Sequence, residues 1–168
     1  AEKFVHEAEA KLAVLSDASS PPPIFHFYGA LQSNKLRRIL AVFDVVETVS
    51  SIPQAEKLAK RIRMHGANLL GCMVQVNCGL EPQKQGVPPE RADALIEHCL
   101  AAALPLSGVM AIPPRTGDPA PHFRALRQLA DRFGLPHCQM GMSDDYAQAI
   151  DCGATHIRVG RAIFDAAS

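Results

Sequence analysis

Ser143, Arg158, Gly160 and Arg161 lie close enough in one stretch to act together on an anion. Residues 135–164 read LPHCQMGMSDDYAQAIDCGATHIRVGRAIF. A short apolar strand, Pro136 to Met140, leads into Gly141-Met142-Ser143, and a second strand, Thr155 to Val159, ends at Gly160. Ser143 followed by Asp144 and Asp145 has the pattern of a helix N-cap, Gly153 that of a helix stop, and a last short helix is expected from Arg161. Two successive strand-glycine-helix joints leave two sets of free amide N–H groups pointing the same way, which is what a phosphate needs. Along the second strand Ile157 and Val159 share one face and His156 and Arg158 the other. If helices pack on the aliphatic face, Arg158 is carried into a functional interior; on an exposed edge it would be an ordinary surface arginine. Pattern alone leaves both readings open.

Other candidate groups are weaker. Cys72, Cys78, His98, Cys99, His137 and Cys138 include no pair with the close ligand spacing of a structural zinc site, so no metal is expected. His26 could be a core histidine bonded to a neighbouring strand. Lys84, in EPQKQG, reads as a solvated loop lysine. There is no evident acid–base pair.

These residues need elements to hold them. The chain has 168 residues, 48% of them apolar, which suits one domain spanning 1–168. Seventeen basic residues balance seventeen acidic ones, giving no field for nucleic acid or an anionic membrane. No apolar run is long enough to span a bilayer, and the start has the profile of an amphipathic helix, so a soluble, cytoplasmic protein is expected. Five cysteines with no C-x-x-C pair suit free thiols in a reducing compartment.

Phe4, Val5, Ala8, Leu12 and Leu15 form a helical stripe, and Ser19 to Pro23 reads as a linker. Ile24 to Gly29 follows as a strand, then a helix capped by Ser33 or Asn34, then a strand from Val42 to Val49. Ile52 to His65 is a helix closed by Gly66, and residues 69–77 are a strand with Gln75 and Asn77 on its polar face. A helix from Glu90 to Ala103, a strand from Leu106 to Ile112 and a helix from His122 to Phe133 stopped by Gly134 complete the order. Six strands in strict alternation with seven helices argue for parallel strands with right-handed crossovers. A (β/α)8 barrel takes about 250 residues, so the expectation is a TIM-type α/β barrel short of about its first two β/α units, with an open doubly wound sheet as the alternative.

Four segments together, HFYGALQSNK (His26 to Lys35), QVN with a following K-x-G (Gln75 to Asn77, Lys84, Gly86), GVMAIP (Gly108 to Pro113) and GMSDD...AI..G.T.IRVG.AIF (Gly141 to Phe164), resemble the YggS-type pyridoxal 5'-phosphate homeostasis proteins. The fold of that family looks like the N-terminal barrel of alanine racemase. The resemblance implies a protein that binds pyridoxal 5'-phosphate and buffers or delivers it, with no established reaction. It also implies roles. Ser143, with Met142 beside it, would meet the phosphate together with Gly160 and Arg161 at the last helix, Arg158 would meet the pyridine nitrogen, and Asn77, Met110 and His26 would line the pocket from other strand ends.

The family holds its cofactor as a Schiff base on a lysine in a V-S-K-T-type motif, which is absent here. Lys3, Lys11, Lys35, Lys57, Lys60 and Lys84 all fall on expected helices or loops. Binding is therefore expected to be non-covalent. Asp165 stands where the family usually has glycine. Open barrel edges predict self-association. Two rival readings remain: a racemase-like or other phosphate-binding barrel enzyme, and a barrel fragment active only with a complementing segment.

Overall fold

A computed structural model describes residues 1–15, 23–66 and 68–165. Most of the linker expected at Ser19 to Pro23 lies outside the described residues. Among those described, the order is α1 (Val5–Leu15), β1 (His26–Phe27), α2 (Leu36–Val42), β2 (Val45–Val49), α3 (Ile52–His65), β3 (Gly71–Val76), α4 (Pro89–Ala101), β4 (Leu106–Ala111), α5 (Ala120–Arg132), β5 (His137–Met142), α6 (Tyr146–Asp151), β6 (His156–Arg158) and α7 (Arg161–Phe164). The strands form one parallel sheet in chain order, β1 to β6. No helix of the described residues is long and apolar enough to cross a membrane.

Side-chain alternation along the strands makes two layers. Val46, Val74, Val109 and Met140 face outward, where they pack with Ile39, Leu58, Ile96 and Phe123 from the helices. Val45, Met73 and Met110 face inward and form a small separate cluster against Ile112. The sheet is curved enough that side chains from its two outer strands meet: the rings of His26 on β1 and His156 on β6 lie 6.2 Å apart. Strand ends on the C-terminal side therefore converge on one concave interior.

The helix α3 has the bounds read from the sequence because its signals are local. The Ser51 hydroxyl accepts from the Gln54 amide, a proline sits in the first turn, and Gly66 closes the helix at φ 57°. Elsewhere the local signals lose to tertiary ones. Val42 ends α2 rather than starting a strand, because the Phe43 amide still bonds to Ile39 O and Asp44 is taken up by Phe25, whose amide donates to the Asp44 carboxylate at 2.7 Å. The N-cap of α2 is Lys35, with no side-chain bond, and not Ser33 or Asn34. The strand expected over Ile24 to Gly29 shrinks to two residues, as Gly29 O instead accepts from the Thr48 hydroxyl. Of the expected stripe, Val5 and Ala8 on α1 are buried while Phe4, just before the helix, and Leu15, at its end, are exposed, so only the middle packs.

Candidate functional site

The interior opens into a cavity of about 460 Å³ at the C-terminal ends of the strands, lined among others by His26, Tyr28, Glu47, Met142, His156 and the run Ile157 to Gly160. This is within the size range of small-molecule sites. Arg158 points into this interior, not out to the helices. Its Nη2 donates to a carboxylate oxygen of Glu47 on β2, and its guanidinium carbon lies 4.8 Å from the centre of the Tyr28 ring. Its Nε–H is buried with no partner among the described residues.

Glu47 is 0% exposed. Its other oxygen accepts from His26 Nδ1 at 2.6 Å, so both carboxylate oxygens are used. Burial pushes its pKa up, but the hydrogen bond from His26 and the charge and hydrogen bond of Arg158 outweigh that, and the net shift is downward. Glu47 is ionised at neutral pH. Deeper along the same wall, the ring of His137 packs edge-on against His156 at 4.7 Å. Burial, and then the positive charges that His137 and His26 would carry, hold the His156 pKa below its usual value.

The joint at the ends of β5 and β6 differs from the sequence expectation. Residues 143–145 form a turn, in which the Met142 amide donates to the Asp145 side chain at 2.6 Å and the Asp145 amide donates to Met142 O. The helix α6 begins only at Tyr146, with Asp145 as its N-cap, so Ser143 does not cap it. Ser143 Oγ instead accepts from the Ala162 amide of α7 at 3.3 Å. The two joints thus meet through Ser143, with Gly160 as the N-cap of α7 and the first amides of that helix beside the hydroxyl. The Arg161 side chain is turned outward to pair with Asp144.

Of the eight residues singled out from the sequence, His26, Met142, Arg158 and Gly160 line the cavity, and Ser143 and Arg161 stand at its rim joint. Asn77 and Met110 do not line it. The Asn77 carboxamide is spent on its own loop, donating to Glu81 O and Lys84 O and accepting from the Glu81 amide. Met110 is packed in the inner cluster with Val45 and Met73. Lys84 is not a free loop lysine: it donates to Pro113 O at 2.7 Å and pairs with Glu81, clasping the loop after β3 to the loop after β4. None of the six lysines lines the cavity. Glu47 went unnoticed in the sequence. Its only signal was one acidic residue within an apolar strand, at the inward position.

The sequence pattern of the alanine racemase N-terminal domain matches residues 1–167. The pyridoxal phosphate homeostasis protein of Pseudomonas aeruginosa is 38% identical over 171 residues, covering 98% of this chain and 73% of that protein. The chain belongs to this family. The protein of the same name from Bos taurus is 35% identical and covers 97% of this chain and 66% of its own length. Among solved structures of the family, PipY of Synechococcus elongatus without PLP superposes with a TM-score of 0.86 at 31% identity, covering 97% of this chain and 80% of that one. PipY with PLP bound gives 0.82 at 32% identity, covering 97% and 79%. The fold is shared more widely: D-threo-3-hydroxyaspartate dehydratase from Delftia reaches 0.68 at 16% identity.

Proposed function

We propose that this chain is a single-domain pyridoxal 5'-phosphate binding protein that serves cofactor homeostasis, and that its six strands correspond to six of the eight in a complete barrel. The observation that carries the reading is Arg158, held inside the cavity with one N–H unsatisfied, two residues before the Gly160 joint where Ser143 and α7 meet. A cofactor with an anionic phosphate at one end and a ring acceptor at the other fits that donor set. Ser143 and the Gly160 and Arg161 amides would take the phosphate at the glycine joint, where the backbone can come close to an anion. Arg158 would donate to the ring nitrogen, and Met142 and His26 would bound the ring.

The cofactor supplies an aldehyde and an electron-withdrawing pyridine ring. Arg158 would keep that ring nitrogen unprotonated, because its own proton is not given up, and so would weaken the electron sink. No lysine lines the cavity to engage the aldehyde. Tyr28 lines the cavity with Arg158 over its ring face. These features support a holder over a catalyst.

Fluorescence titration with pyridoxal 5'-phosphate, followed by borohydride reduction and peptide mapping, tests the reading. Saturable binding that dialysis reverses, without a stoichiometric adduct on any lysine, is the expected result. Absence of saturable binding would overturn the function, and one fully labelled lysine would overturn the non-covalent mode.

A further inference from the structure

We propose that Glu47 is a positioning residue that sets which way round the cofactor binds: it occupies the Arg158 guanidinium so that the phosphate goes to the Ser143 joint and the ring to Arg158. The proposal rests on the function proposed above.

An arginine inside a cavity is by itself the strongest phosphate receptor available, because its planar fork matches phosphate oxygens bidentately. Left alone, Arg158 would compete with the short helix α7 and the Ser143 hydroxyl for the phosphate end of any ligand. Two contacts prevent this. Glu47 takes Nη2 from β2, across the concave interior and 111 residues away in sequence, and Tyr28 covers one face of the guanidinium. The pair is neutral as a unit, and the buried Nε–H has no partner among the described residues. A guanidinium whose charge is already balanced by Glu47 suits a neutral ring acceptor better than a dianion, whose hold on arginine depends on unmatched positive charge.

Glu47 itself is fixed from the far side. His26 Nδ1 donates to its second oxygen, and with no exposed surface the carboxylate has no water to turn towards. A buried carboxylate is stable only while it is paired, so the same burial that makes Glu47 costly makes its hold on Arg158 tight.

Calorimetric titration with inorganic phosphate and with pyridoxal 5'-phosphate, on the whole chain and on Glu47→Gln and Glu47→Asp variants, tests this. Glu47→Gln frees Arg158, so inorganic phosphate is expected to bind about tenfold tighter, and adding Ser143→Ala should no longer weaken it, since a charge-assisted bidentate pair is then available. Glu47→Asp keeps the charge at shorter reach and should fall between the wild type and Glu47→Gln. It decides the matter if Glu47→Gln does not fold. A merely structural ion pair predicts the reverse, unchanged or weaker phosphate binding in both variants, and that result overturns the proposal. If the wild type binds inorganic phosphate but not pyridoxal 5'-phosphate, the cofactor reading fails and the orientation proposal falls with it, whereas cofactor binding with unchanged phosphate affinity in both variants removes only the role of Glu47.

Discussion

Ser143 accepts a hydrogen bond from the Ala162 amide, and this places its hydroxyl at the start of the last helix and not at the start of the helix that follows it in sequence. The hydroxyl accepts there and still has its own proton to give, and a hydrogen bond to a charged group is worth about 1.5–3 kcal/mol. Ser143→Ala should therefore weaken binding of pyridoxal 5'-phosphate at least about tenfold, the lower end of that range. Binding of unphosphorylated pyridoxal should not change. Parallel titrations with the two ligands check this, and an equal loss for both would mean that Ser143 acts on the ring or on the fold.

Stability should fall with pH in two windows. His156 and Glu47 both have pKa values lowered by folding, so each binds more protons unfolded than folded, and stability falls as pH falls. The His156 contribution is full above the ordinary histidine value of 6.5 and is lost as pH drops below it. The Glu47 contribution is full above the ordinary glutamate value of 4.5 and is lost further down. Urea unfolding at pH 7.5, 5.5 and 3.5 would show successive losses. A stability flat across that range would contradict both shifts.

Removing the Lys84 clasp should loosen two loops at once. Lys84→Met leaves Pro113 O and Glu81 without their cation, and loss of a hydrogen bond to a charged group costs about 1.5–3 kcal/mol. The expected readout is a lower unfolding midpoint, with faster proteolysis within residues 77–88 and 112–119. Cleavage unchanged in both loops would show that each is held independently.

Gly86 admits no side chain. Its φ is 127°, and a Cβ placed there would lie 2.5 Å from the Asn77 amide nitrogen. Gly86→Ala should destabilise by about 3 kcal/mol, the upper part of the range for such strained backbone. Thermal unfolding would measure it, and a shift of less than a degree would mean that the loop relocates freely.

Much of this architecture can be read from the sequence because its signals are local. Strand, glycine and helix alternate with the right periods, and Gly66, Gly134 and Gly153 mark turns in which the structure has positive φ. Strand parity sets Arg158 opposite the aliphatic face of β6, but only the packed helices decide that the Arg158 face is the interior. What parity cannot supply is a partner. Glu47 and Arg158 meet only because the sheet curves, and curvature is a property of all six strands. Ser143 serves α7 and not the helix that follows it for a related reason: the turn through Asp145 satisfies the local donors, and the hydroxyl is left for a helix that only tertiary structure brings near. The Asn77 side chain looked available because its loop, closed by Lys84 and Gly86, could not be folded from pattern alone.

Glu2 adds one rung beside β1. Its amide donates to His26 O and its carbonyl accepts from the Tyr28 amide, a parallel bridge to Phe27. Gly29 makes room for it, since a Cβ there would sit 2.2 Å from Lys3 O. Gly29→Ala should therefore lift the first described residues off β1, and faster hydrogen exchange at Glu2 and Tyr28 in that variant would show the rung gone. Exchange unchanged at both amides would mean that the backbone gives way around the new methyl group and the small residue at this position is not what seats the rung.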